Sequence, residues 1–285
     1  KSLLASAVSG ILPNLTAREA LETSMIHSLA GTLPAKGILT HRPFRDPHHS
    51  ASSPALVGGG QKAKPGEISL AHNGILFLDE LPEFPRNVLE SLRQPLETGE
   101  ILISRANNHV RYPARFQLVA AMNPCHCGYY GDPLQECRCS AHQVKTYQNR
   151  LSGPLLDRID IHIDVPAVDI SAFANQDHSA ESSESIRKRV ENARILQHSR
   201  FKNNTDNTTQ DTAKILSNAH LTAQNIEKYC HLTQETLTLF QNAAKTLKLS
   251  ARAYHRVLKV ARTIADLNGN ETIKPADISE ALSYR

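Results

Sequence analysis

The chain reads as an α/β domain built on a buried parallel sheet, followed by a domain made of helices alone. Three observations predict this. Ile75-Leu76-Phe77-Leu78 is an unbroken apolar run entered through Gly74, the pattern of a strand buried on both faces of a parallel sheet. Phe116 to Asn123 repeats that pattern and again ends in a polar residue. Beyond Pro166 the strand signals stop, and each later apolar pattern has a helical period. The expected division is 1–167 for the core and 168–285 for a linker and helical lid.

Composition narrows the class. The chain has 285 residues, 40% hydrophobic and 21% charged, with a net charge of +4. That length supports one large or two moderate cores. No apolar run approaches the roughly 20 residues that cross a bilayer, so a membrane protein is not expected and the cytoplasm is. The small positive excess permits a nucleic-acid partner without requiring one. With 5% aromatic residues and no Trp, a base-stacking platform is disfavoured.

The first strand runs into Asp79-Glu80. Charges inside a sheet would be costly to desolvate, so both acids belong at its carboxyl end, where open α/β sheets bind ligands. This is the form of a Walker B strand, with one acid for Mg²⁺ and the next to activate water. Alone, such a run reads first as a core strand with a polar exit. Lys1-Ser2 opens a helix as the tail of G-x-x-x-x-G-K-[ST] does, with the lysine reaching phosphates and the serine ligating Mg²⁺. Asn123, at the end of the second strand, can hold water or γ-phosphate between strands; it can also be a turn residue before Pro124.

The other elements follow in order. The helix from residue 1 has Leu4, Val8, Ile11 and Leu12 as its apolar positions, and Ala17–Ala30 is expected to be a second, with Ala20, Leu21, Met25, Ile26 and Leu29 as its own. From there to Gly66 the chain is turn-rich and basic, and His48 and His49 read as loop or nucleic-acid contacts. Gly58-Gly59-Gly60 suggests a mobile loop that closely approaches a backbone or ligand. Arg86 to Glu97 has the period of one amphipathic helix. Glu100 to Pro113 reads as a β-hairpin whose tip and edges carry Arg105, Asn107, Asn108, His109 and Arg111. These residues suit a phosphate backbone or an ordinary solvated hairpin. Cys125, Cys127, Cys137 and Cys139 make two C-x-C pairs across a turn, a pattern able to hold Zn²⁺ or to remain as reduced thiols. His126 can replace one thiolate. Cys230 reads as a small buried hydrophobe.

Arg158 falls between a short helix and an expected strand, Ile159 to Val165, where it can pair with Asp157 or Asp160 or reach a neighbouring subunit. Thr222, Thr233 and Ser250 are good helix N-caps, and Pro275 is a good first helical residue. Arg252 lies in the first turn of the Ser250 helix, where a cation opposes the helix dipole. An anionic partner would explain that placement.

Taken together, Lys-Ser, strand-Asp-Glu, strand-Asn, Leu155-Leu156-Asp157-Arg158 and a lid with a first-turn arginine resemble the AAA+ ATPases. The strings Arg42 to Ser52, Leu56 to Gly60, Pro65 to His72, Phe77 to Phe84, Met122 to Cys125, Leu151 to Asp160 and Tyr254 to Leu267 are similar to the magnesium-chelatase-like group, and within it to the ComM/YifB family. The resemblance implies a three-layer αβα AAA+ core with an insertion in helix two (about 32–66), a hairpin before sensor 1 and a C-terminal all-helical lid. It implies ATP and Mg²⁺ as cofactors. It also implies roles: Lys1 and Ser2 as the end of Walker A, Asp79 and Glu80 as Walker B, Asn123 as sensor 1, Arg158 as a trans arginine finger and Arg252 as sensor 2, with Arg256 the weaker candidate. Members of that family are expected to form hexameric rings that move along DNA and drive branch migration in natural transformation, the helix-two loop and the hairpin lining the pore. A chelatase-type motor acting on a protein partner is the alternative, as is an inactive truncated product. The glycines of the phosphate loop, the strand before them and an amino-terminal Lon-protease-like domain are not in this sequence. The isolated chain is therefore expected to bind ATP poorly.

Overall fold

The computed structural model describes the chain except residues 36, 61–62, 106–107, 134, 167–180 and 204–216. Two compact units result, 1–159 with 165–180 and 160–164 with 181–285.

The first unit is a mixed α/β structure around a parallel sheet. Strands β1 (Phe44–Arg45), β4 (Ile75–Leu78) and β7 (Gln117–Ala120) pair in the order β1-β4-β7. All four residues of β4 are buried. Because successive side chains leave a strand on opposite faces, β4 joins two cores. Ile75 and Phe77 pack with Ala5 and Val8 of the Ser2–Ile11 helix and with Leu12 at its end. Leu76 and Leu78 pack on the other side with Leu56, Ile68, Leu81, Val88 and Leu92. This alternation produces helix, sheet and helix layers. Gly74 is required where the strand begins, since a Cβ there would lie 2.0 Å from the Pro43 carbonyl oxygen.

The Ala17–Ala30 helix has the expected bounds, with a capping box between Thr16 and Glu19. Its faces are not the expected ones: Leu21, Met25 and Leu29 are exposed. Of the expected apolar positions Ile26 is buried, but the rest of the buried face is polar, with Thr23, Ser24 and His27 turned inward. It is satisfied by hydrogen bonds from Asn73 Nδ2 to Thr23 Oγ1, from the Leu39 N–H to Ser24 Oγ, and between His27 Nε2 and the Leu70 carbonyl. Leu4, too, is exposed on the first helix.

The stretch read as one helix from Arg86 is two, Arg86–Ser91 and Arg93–Thr98. Pro95 explains the break: it has no N–H, and its ring would meet the carbonyl four residues back. The hairpin forms as expected from β5 (Glu100–Arg105) and β6 (Asn108–Pro113), paired from Glu100↔Pro113 to Arg105↔Asn108. Ile101, Ile103 and Tyr112 anchor its base in the core. The short strands β2 (Gly58–Gly59) and β3 (Lys64–Pro65) pair antiparallel. A Cβ on Gly58 would lie 2.5 Å from the Lys64 carbonyl oxygen, so the glycine run serves a close backbone approach. β7, expected to be a buried strand, is partly exposed, and among the described residues nothing pairs with its outer edge. No strand forms at 159–165 either: Ile161, Ile163 and Val165 are exposed, with no ladder partner among the described residues.

The second unit contains the helices Ser183–Asn203, Ala223–Tyr229, Gln234–Thr246, Ala251–Leu267 and Pro275–Ser283. Thr222, Thr233 and Ser250 each accept a backbone N–H as N-caps. Phe240, Val257, Ala261, Ile273 and Ile278 form the centre of its core. Beside them Asp266, 2% exposed, accepts from Arg262 Nε at 3.0 Å and Asn218 Nδ2 at 2.8 Å, and pairs with Arg200. Removing the carboxylate would strand two arginines in a dry site. Asp266→Ala is therefore expected to destabilise this unit by about 3–5 kcal/mol, read as a lower denaturation midpoint. A shift below 1 kcal/mol would count against the network as a stabilising feature.

Candidate nucleotide site

Three segments far apart in sequence meet at the carboxyl end of the sheet. Ser2, the first residue of its helix, donates from Oγ to Asp79 Oδ2 at 2.6 Å. Lys1 Nζ donates to Asn123 Oδ1 at 3.0 Å and to the Met122 carbonyl at 2.6 Å. Register explains the convergence. Leu78 pairs with Ala120 in the parallel ladder, so the residues following each strand emerge side by side. Asp79 accepts the N–H of Glu80 at 2.9 Å, and Glu80 takes a left-handed backbone at φ 51° and ψ 46°. Its carboxylate is half exposed.

His49, expected in a nucleic-acid loop, places Nδ1 3.1 Å from Glu80 Oε2. Its ring lies tilted against His48, with centroids 4.1 Å apart, and meets Phe84 edge-on. An open cleft of about 270 Å³ is lined by Asp46, Pro47, His48, His49, Asp79 and Glu80. Asp46 was not picked out from the sequence. It follows Arg45, which pairs with Leu76, so it leaves the sheet beside the acid pair. Burial, and then the charge of Asp79, push its carboxyl above the usual range. Arg42 and Arg45 of the same stretch act as internal braces, Arg42 to Glu19 and the Asn73 carbonyl, Arg45 to Glu67.

The hairpin leaves His109 and Arg111 exposed, with Arg111 3.3 Å from Glu100. Asn107 and the side chains of Arg105 and Asn108 lie outside the described residues. Arg158 pairs with Glu97 at 2.6 Å and donates to the Pro154 carbonyl at 2.7 Å, its side chain 9% exposed. Glu97 is neither of the partners expected from sequence. In the second unit, Arg252 occupies an exposed first-turn position of its helix, and Arg256 pairs with Asp160 at 2.9 Å.

The sulfurs of Cys125, Cys127, Cys137 and Cys139 all lie within 4.8 Å of one another. The Tyr129 backbone N–H, directed at Cys127, draws its thiol down to about 6. His126 lies apart from that group, against the Tyr147 ring and 3.7 Å from Glu83. Cys230 is buried in the second unit, where desolvation pushes its thiol up to about 11.

Residues 1–173 match the family described as magnesium chelatase, subunit ChlI, and residues 180–285 match the corresponding C-terminal family. The chain belongs to the magnesium-chelatase-like family that includes ComM and YifB. Competence protein ComM of Haemophilus influenzae is 49% identical over all 285 residues. YifB of Escherichia coli, an uncharacterized protein, is 45% identical over the same length. A magnesium-chelatase 38 kDa subunit of Rhodobacter capsulatus is 30% identical over 139 residues, which is 44% of this chain and 40% of that protein. The chain spans about half the length, 53%, of ComM and YifB. A nucleotide-binding AAA+ core followed by a helical lid is the arrangement this magnesium-chelatase-like family implies. Among the described residues no helix is long and apolar enough to cross a membrane.

Proposed function

We propose that the protein carrying this chain is an ATP-driven motor that remodels DNA. The observation supporting it most is the meeting of Lys1-Ser2, Asp79-Glu80 and Asn123 at one end of the sheet. The donor set fits magnesium nucleotide. Ser2 and Asp79 are hard oxygen donors already in contact, of the kind Mg²⁺ takes, and Lys1 offers the charge that β/γ-phosphates need. Bound Mg²⁺ would neutralise charge on those phosphates. Glu80 would orient the attacking water and accept its proton, with Asn123 holding that water from the neighbouring strand. Arg158 would act on the γ-phosphate of an adjacent copy in a hexameric ring, and Arg252, or less strongly Arg256, would act as sensor 2.

DNA is the proposed track, single-stranded or branched, met by the hairpin through Arg105, Asn107, Asn108, His109 and Arg111. The His48-His49 loop would be a second contact. His49 on Glu80 supports a route by which DNA at that loop reaches the water-activating acid. Likeness to a protein named for competence supports recombination intermediates of natural transformation as the substrate. Likeness to a chelatase subunit supports a second reading, a motor acting on a protein partner.

ATPase assays on the full-length protein separate the two. DNA is expected to stimulate turnover, with binding that weakens steeply as salt rises. Arg111→Ala is expected to lower the slope of log affinity against log salt by about one. Turnover indifferent to DNA at low salt would reject the DNA motor in favour of the chelatase-type reading.

A further inference from the structure

We propose that Cys125, Cys127, Cys137 and Cys139 hold one structural Zn²⁺, and that this metal fixes the turn bearing Asn123 and the turn that follows Glu80. The second half rests on the nucleotide-site reading; the first does not.

The distances favour a single ion. Cys125 Sγ lies 3.4 Å from Cys127 Sγ and 3.7 Å from Cys137 Sγ, and Cys127 and Cys137 are 3.6 Å apart. With Zn–S bonds of about 2.3 Å, the sulfurs of a tetrahedron stand about 3.8 Å apart. A disulfide would hold two sulfurs at about 2.05 Å, and none of these cysteines is so paired. Four thiolates are soft donors that select zinc over magnesium or calcium. As a complete set they leave no coordination position open, which marks a structural rather than a catalytic site. The turn is shaped for closure: Gly128 and Gly131 take φ of 85° and 81°, and the Gly128 N–H returns to the Cys125 carbonyl at 3.1 Å.

The cluster's ends tie it to the nucleotide site. Cys125 follows Asn123-Pro124 directly, and Gln148 donates to the Pro124 carbonyl at 3.1 Å. Cys139 precedes Ser140, which caps the Ala141–Gln148 helix. That helix supplies Tyr147, against which His126 packs at 4.5 Å. His126 and Arg150 both reach Glu83, whose N–H returns to the Glu80 carbonyl at 2.7 Å. Among the described residues the backbone-to-backbone bonds within the Cys125–Cys139 turn are short-range, Gly128 N–H to Cys125 and Asp132 N–H to Tyr129, so the metal would be what ties Cys125 and Cys127 to Cys137 and Cys139.

Metal analysis of the full-length protein, purified under reducing conditions without chelator, is expected to find about one zinc per chain. Cys125→Ser with Cys137→Ser should lower that content at least tenfold. Cys230→Ser should leave it unchanged, and Cys139→His should retain it, because three cysteines and a histidine also close a tetrahedron. If the double variant fails to fold, cobalt exchanged into the native protein decides, through the visible bands of a tetrahedral tetrathiolate. Hydrogen exchange at residues 81–84 and 121–126 should quicken at least tenfold when zinc is stripped. Protein without zinc, protein carrying iron instead, or a cysteine variant with native zinc content would overturn the site. Unchanged exchange after stripping would overturn its coupling to the two turns. None of these readouts uses ATP, so the metal site stands or falls even in a protein that hydrolyses none.

Discussion

Glu80→Gln in the full-length protein is expected to lower ATP turnover by about 10²–10⁴-fold while nucleotide binding persists, because a glutamine can position water but cannot take its proton. The geometry makes this a clean substitution. Asp79 carries the contact to Ser2, whereas the Glu80 side chain reaches His49. Glutamine is nearly the same size and can still meet the imidazole, so the fold and the magnesium donors stay intact. Single-turnover hydrolysis beside equilibrium binding of a nucleotide analogue separates the two effects. Equal losses in binding and turnover would show Glu80 to be a binding group; unimpaired turnover would remove it from the chemistry.

Arg158→Ala is expected to reduce turnover by about 10³–10⁵-fold, with a characteristic signature on mixing. If the guanidinium works across a subunit boundary, Glu80→Gln and Arg158→Ala proteins, each inactive, should regain part of the native rate together. Some boundaries would then combine a native acid from one copy with a native arginine from the next. In a single chain Arg158 is held by Glu97 and the Pro154 carbonyl. Glu97 is half exposed but the Arg158 side chain is 9% exposed, so acting on a neighbour's phosphate would require the arginine to leave both partners. No recovery on mixing, together with a lowered melting temperature for Arg158→Ala, would assign the arginine to its local pair.

Much of the first unit was legible because its signals are local. Four consecutive apolar residues entered through a glycine and left through two acids fit a strand buried on both faces, and a threonine at 222 or 233 or a serine at 250 caps a helix by its own side chain. The meeting of Lys1-Ser2, Asp79 and Asn123 was readable for the same reason, since each follows or opens an element whose direction the pattern reveals. What was hidden depended on tertiary partners. The Ala17–Ala30 helix buries its polar side because His27, Thr23 and Ser24 find backbone and side-chain partners that no periodicity announces. Alternation from Ile159 to Val165 looked like a strand, but a strand exists only where another supplies its hydrogen bonds. Asp46 escaped notice because only the register of β1 against β4 brings it to the acids, and Glu97 is sixty-one positions from Arg158.

Glu80 sits in a backbone conformation that L-residues other than asparagine and aspartate rarely adopt, at a penalty of roughly 1–2 kcal/mol. Glycine at that position would release the strain, and Glu80→Gly is expected to melt higher than the native protein while losing at least the turnover that Glu80→Gln loses. Random mutation screened for thermal stability alone would therefore drift toward an inert protein at this residue. On the proposed role of Glu80, retaining an acid there needs selection on turnover, and the left-handed angle at residue 80 is then a place where folding and work pull the sequence in opposite directions.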